Sequence, residues 1–406
     1  MSGSEVYRMS AGASMLTFSG GQMKIKESDA TAGISVRVLE AGRLGFAYCQ
    51  AESGLDEALS RARRLSKFSV ESGFSFAPQS QFPPLDVADP ALEPDDIDLL
   101  RYLVEEAKDA AASKGGKPRV ISSMEREEVR LENTAGLSGA YAKTTASLYV
   151  ECMDGDGFGL SYLASTRKPG ETASLGLRAA EMARSMQNAG KPDGGSYTVV
   201  MEVEALESLV ETLLPSFSGD WKRRGITRLA EGKAFSGALS IYDDGLSAGV
   251  NARPFDDEGT PSARRALIEN GEVKSFMYDR ETAALAREER SGACTRGSYD
   301  SPPSIGASNI VISPGDRKDL GDLERFIEVH YAHGSHTANI TSGDIGLEVS
   351  AAFLVEKGKR RPMKGFMLSG NVFDMFSNIE AIESSQRVQG SLIAPRIAFR
   401  DVRVVS

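Results

Sequence analysis

Apolar side chains along this chain change their spacing from two to between three and four and back again, and each change of period marks an element. Between Ile34 and Leu39, Ile34, Val36 and Val38 alternate with Ser35 and Arg37, the pattern of a half-buried strand. Past a turn at Gly42, Leu44 to Tyr48 predicts a second strand. Leu55, Ala58, Leu59, Ala62 and Leu65 then recur at helical spacing, with Arg61, Arg63, Arg64 and Lys67 between them. Pro78, Pro83, Pro84, Pro90 and Pro94 each remove an amide donor and fix φ, which predicts a long loop over the surface. Pro94, Asp95 and Asp96 open a helix carrying Ile97, Leu100, Leu103, Val104 and Ala107 on one stripe, and Gly115 and Gly116 close it.

From Val120 to Tyr162 the pattern is of short strands, with turns at Asn133 to Gly136 and Asp154 to Gly159. A helix over Ala173 to Met186 precedes Asn188 to Ser196, a run with few apolar residues to tie two cores together. The expected organisation is therefore a mixed domain over 1–190 and a β-rich domain over 195–406, an α+β protein. The second half opens with a strand, Tyr197 to Val203, and a helix, Leu206 to Leu214. Arg265 to Glu269 and Val273 to Tyr278 flank Asn270-Gly271, a strong hairpin dipeptide.

Composition narrows the function. The chain has 57 acidic against 47 basic side chains and a net charge of -10, which disfavours direct binding to nucleic acid or an anionic membrane. No apolar run approaches the roughly 18 to 20 residues that span a bilayer, and the start, MSGSEVYRMS, has no basic or apolar leader. Cys49, Cys152 and Cys294 lie far apart without a CxxC pair, as in a reduced protein of the cytoplasm.

Candidate chemistry is sparse. The three histidines, His330, His333 and His336, form HxxHxxH, a spacing that could hold one metal ion, although Gly334 and Ser335 break any helix that would align the rings. Asp256, Asp257 and Glu258 form an acidic knot whose repulsion must be relieved by a cation, by Arg253 or by solvent; it is either a ligand or partner contact or a solvated turn before the hairpin, and spacing alone favours the turn. Cys294 would be a nucleophile only beside a histidine and is more simply a small buried thiol; Trp221-Lys-Arg-Arg224 is expected as an exposed turn with a packed tryptophan. There is no phosphate-binding GxxxxGK[ST], no GxSxG and no HExxH.

Read in order, Gly33 to Val38 with Gly42 to Phe46, Asn133 to Gly136, Tyr197 to Leu214 with Lys233 to Asp244, Phe255 to Thr260 with Leu267 to Gly271, Thr341 to Asp344, and Phe353 to Gly358 with Gly370-Asn371 resemble the TldD/PmbA family, also labelled modulators of DNA gyrase. The resemblance runs from about residue 20 to the C-terminus, and FDDEGT with IENG is its most specific part. It implies an N-terminal mixed domain, a larger β-rich C-terminal domain, and a dimer enclosing a cavity. TldD-like members carry an HExxxH zinc helix near the start of the second domain. Here Ala205 to Phe217 reads ALESLVETLLPSF, with glutamates but no histidine, and no cysteine follows Cys294. The chain thus resembles the PmbA or TldE branch, a noncatalytic subunit that needs no cofactor because zinc sits in its TldD-like metallopeptidase partner, together degrading unfolded peptides or trimming peptide precursors.

The resemblance leaves catalytic residues at none and places peptide or partner contacts at Asp256, Asp257, Glu258, Thr260, Asn339, Ser342 and Asp344. The isolated chain would be a homodimer. Two alternatives stand beside it, an independent metal-dependent hydrolase using the three histidines and a protein-binding gyrase modulator. The chain departs from the family in its short N-terminus, where an extra helix usually precedes the first strand, and in HYAHGSH ahead of Thr341.

Overall fold

The computed structural model describes residues 2–288 and 292–406. Six antiparallel strands make the first sheet: β1 (Gly3–Ser19), β2 (Gln22–Glu40), β3 (Arg43–Cys49), β4 (Lys117–Asn133), β5 (Ser138–Asp154) and β6 (Gly157–Ser165), in the spatial order β3-β2-β1-β4-β5-β6. The predicted turns at Gly42, Asn133 to Gly136 and Asp154 onward all join strands, but the strands are far longer than their apolar runs. β1 was not foreseen, because its residues are mostly small and polar; β2 on one side and β4 on the other supply its hydrogen bonds.

Three helices cover this sheet. α1 (Leu55–Ser66) seats Ala58 and Ala62 on Val36, Val38 and Ala47. α2 (Ile97–Ser113) starts where the Asp96 carboxylate accepts the Leu99 amide at 2.9 Å, a side-chain N-cap. Its stripe Leu100, Leu103, Val104 and Ala107 packs with Ala179 and Ala183 of α3 (Ala173–Ser185) over Val120, Met124, Leu148 and Val150. The contact is so close that a Cβ on Gly159 would stand 2.0 Å from the Ala179 carbonyl oxygen, so only glycine fits there.

Two expectations need correction. The proline-rich stretch is irregular, as expected, but it does not simply cross the surface: Phe74, Phe76, Ala77, Val87 and Leu92 are buried. The Ile34 to Leu39 strand is buried on both faces, with Ser35 and Arg37 1% and 2% exposed, because the face opposite α1 lies against the C-terminal half.

The second sheet has twelve strands, running Lys359–Met363, Asp344–Glu356, Arg325–His333, β7 (Gly195–Met201), Leu392–Val405, Ile310–Ile312, Ile241–Asp244, Arg264–Glu269, Glu272–Val273 and Gly232–Lys233, with two further strands paired off this path. The hairpin at Asn270-Gly271 forms, but its second strand stops at Val273. Trp221 sits in a short helix, Gly219–Arg224, rather than in an exposed turn. β7 lies parallel to Arg325–His333 and antiparallel to Leu392–Val405, and α4 (Val203–Leu213) follows it at once. Leu206 and Leu209 of α4 are fully buried, each worth about 1.5–3 kcal/mol of transfer free energy. The opposite side of α4 carries the half-buried Glu204 and Glu207 and the exposed Glu211.

Candidate functional site

Two acidic regions lie along the junction between the halves. The first is the knot Asp256, Asp257 and Glu258, and it is neither a solvated turn nor an outward contact loop. All three are buried, at 1%, 5% and 1% exposure. Glu5 of β1 stands directly opposite Arg37 of β2, and the Arg37 guanidinium donates to both Glu5 oxygens at 2.8 and 2.9 Å and to Glu258 at 2.5 Å. Arg253 donates to Asp257 at 3.0 Å, the Arg296 amide to Asp257 at 2.8 Å, the Arg296 side chain to Glu5 at 3.0 Å, and the Arg280 amide to Glu258 at 2.7 Å. Burial opposes the charge of Arg37, but Glu5 and Glu258 outweigh it and raise its pKa.

Asp256 differs from its neighbours. One of its oxygens accepts the Glu258 and Thr260 amides, while the other, like the Thr260 hydroxyl, has no hydrogen-bond partner among the described residues. Burial, then the Glu258 charge, pushes Asp256 up to about 7. Burial removes Asp256, Asp257 and Glu258 from peptide or partner contact in this conformation, whereas Thr260 is half-buried and lines a cavity with Ala77 and Pro78. Cys294 is also interior, its thiol held well above the usual range by burial and then by Glu258, Asp256 and Asp257, which makes it a poor nucleophile.

The second acidic region was not singled out from sequence. Glu204, Glu207 and Glu211, at i, i+3 and i+7 of α4, share its outer face with Ser208 and line a cavity of about 440 Å³. Tyr149 and Tyr162 close it from β5 and β6, and Tyr331 and His333 from Arg325–His333. Glu204 reaches Arg387 at 3.3 Å, whereas Glu207 and Glu211 have no ion-pair partner among the described residues. Burial, then Glu211 and Glu204, pushes Glu207 up to about 7.

The three histidines do not converge. The strand is bulged at His330, with register shifts on either side of Tyr331, and among the described residues no group within reach of one ion contains two of the histidines. His330 accepts or donates a 2.8 Å contact with Glu328, His333 meets Ser350 at 3.3 Å, and His336 lies in a short 3-10 turn, Ser335–Thr337. Among the described residues, two other groups come within reach of one ion: Glu202, Glu328 and His330, and Asp256, Glu258 and Cys294. Guanidiniums already occupy both. Arg387 and Arg396 hold Glu202, Arg360 holds Glu328 at 2.8 Å, and Arg37 holds Glu258, so neither set fits a divalent ion.

The remaining predicted contacts form a self-satisfied surface turn. The Asn339 side chain accepts the Thr341 and Ser342 amides, both at 3.1 Å, Ser342 donates to Asp344 at 2.7 Å, and Asn371 donates to Asp344 at 2.9 Å. The Ser342 and Asn371 hydrogen bonds hold the Asp344 carboxyl below its usual range.

Residues 194–406 match the PmbA/TldA metallopeptidase C-terminal domain, 89–187 its central domain and 5–66 its domain 1, so the likeness begins well before residue 20. An uncharacterised protein of Methanocaldococcus jannaschii is 30% identical over 91% of this chain and 88% of its own length. A metalloprotease of Methanothermobacter thermautotrophicus is 28% identical over 91% of this chain and 85% of its own. TldE from Thermococcus kodakarensis superposes with a TM-score of 0.88 at 22% identity, covering 100% of this chain and 97% of that one. A Thermotoga maritima protein named for modulation of a DNA gyrase superposes at 0.92 and 21% identity, covering 100% and 96%. Among the described residues no helix is long and apolar enough to cross a membrane.

Proposed function

This chain belongs to the PmbA/TldD metallopeptidase family, and from that premise we propose that it is a noncatalytic, PmbA/TldE-like subunit of a cytoplasmic complex. It pairs with a zinc-bearing, TldD-like metallopeptidase and walls the chamber in which unfolded peptides or peptide precursors are cut. The observation that carries this reading is the outer face of α4. Where a zinc helix presents two imidazoles one turn apart, the cavity-facing positions here are Glu204, Glu207, Ser208 and Glu211. Carboxylates can bind cations, but these three do not come within reach of one ion among the described residues.

The chain's own contribution is then geometric. β5, β6, α4 and the Arg325–His333 strand enclose a cleft at the junction, and the buried ion pairs between Arg37, Glu5 and Glu258 hold the two halves in that relation. The surface turn at Asn339, Ser342 and Asp344 stays open to a partner. The reading is tested by mixing the purified chain with its TldD-like partner and following cleavage of an unfolded peptide. Turnover should require both chains, and the chain alone should hold less than one equivalent of zinc. Turnover by the partner that ignores this chain would refute the subunit role.

A further inference from the structure

The α4 cavity does not stand alone. A second cavity, of about 310 Å³, shares Leu160, Glu204 and Tyr331 with it and continues the cleft toward α3. The Tyr331 hydroxyl donates to the Leu160 carbonyl, and this contact forms the sill between the two lobes.

The lobes differ in their unmatched charges, and among the described residues only the far one holds a guanidinium without an ion-pair partner. On the α4 side, Glu207 and Glu211 have no cationic partner among the described residues, and Tyr149 and Tyr162 line the same lobe. On the far side, Arg178 and, three residues on, Glu181 of α3 both line the lobe, neither with an ion-pair partner among the described residues. Arg360 stands beside it, 4.0 Å over the Phe353 ring with one contact to Glu328. Glu202 and Arg387 of the same lobe neutralise each other. A cleft whose acidic groups at one end, Glu207 and Glu211, lack a cation and whose other end holds the unpaired Arg178 beside Glu181 offers a charged contact to each end of a zwitterion.

We propose that this two-lobed cleft binds short peptides by their free ends, the α-ammonium against Glu207 and Glu211 and the α-carboxylate against Arg178. The assignment deepens the peptide reading above and rests on it. Burial, then the like charges of Glu211 and Glu204, raises the affinity of Glu207 for a proton, and a bound ammonium would oppose all three.

The experiment is calorimetric titration of the isolated chain with tetra-alanine, free-ended, N-acetylated, C-amidated or blocked at both ends. Loss of one charge-assisted contact should weaken binding on the order of tenfold or more. Glu207→Gln should weaken the free and amidated peptides and leave the acetylated one unchanged. Arg178→Gln should weaken the free and acetylated peptides and leave the amidated one unchanged. Both residues lie on the cleft surface, and unchanged thermal unfolding at pH 5 verifies that the variants fold. Equal affinity for free and doubly blocked peptide, substitution effects that ignore the blocking groups, or no peptide binding at all would each overturn the assignment. Partner-dependent turnover that persists in such a case would leave the subunit reading standing.

Discussion

At the junction, Asp256, Asp257 and Glu258 are enclosed with Arg37, Arg253 and Arg296, whereas on α4 Glu204, Glu207 and Glu211 face an open cleft with Arg387 as the single cation touching them among the described residues. Both regions hold three carboxylates, and both contain one pushed up to about 7. The difference lies in the counter-ions. Interior carboxylates must be matched, since an unpaired buried charge costs several kcal/mol. Carboxylates on a cleft need not be, because water screens them, and an unmatched set there is free to meet a ligand. Acidic clustering alone therefore says nothing about role; the surrounding cations decide it.

Breaking one matched pair should give the largest effect. Glu258→Ala leaves one Arg37 nitrogen and the Arg280 amide without their buried acceptor while Glu5 still holds Arg37, and is expected to cost about 3 kcal/mol in urea unfolding. Glu211→Ala on the exposed α4 face should change stability by less than about 0.5 kcal/mol. Similar losses at the two positions would erase the distinction.

The two protonated carboxylates sharpen the comparison through pH. Each has a folded pKa raised above its unfolded value of about 4, so the folded state keeps a proton that the unfolded chain releases. Stability from each is therefore present below about pH 4, declines as pH rises to about 7, and does not return above it. Asp256→Asn should flatten that decline, leaving the variant on the order of 1 kcal/mol more stable than the parent at pH 8 relative to pH 4. Glu207→Gln should act in the same direction but less, because solvent reaches it. Unfolding midpoints across this range decide the point, and a steeper decline in either amide variant would contradict the assignment.

The smallest effect concerns thiols. Cys152 and Cys294 are buried and Cys49 is partly exposed, so a disulfide reagent added to native protein at pH 8 should label Cys49 first and Cys294 only after unfolding. Rapid native labelling of Cys294 would mean that the junction opens readily.

Much of the scaffold could be read from local pattern. Helical spacing found α1, α2 and α3 nearly to their ends, and glycine and asparagine turns found the strand connections, because these signals depend on neighbours within a few residues. The missing imidazoles of ALESLVETLLPSF were equally plain, since a residue type either is or is not present. The lengths of the strands, and β1 altogether, escaped that reading, for a strand of small polar residues is stabilised by partners distant in sequence.

The amino-acid order by itself determined the family, the alternation of elements and the absence of histidine from α4. Tertiary structure alone decided which charges are inside. Arg37 looks like a solvent-facing residue of an amphipathic strand, and FDDEG looks like an exposed turn, until 221 residues of separation are closed and each neutralises the other. The same closure sets Arg178 and Glu207 around one cleft. Coulomb interaction and desolvation depend on distance in space, and no local pattern in a sequence encodes that distance.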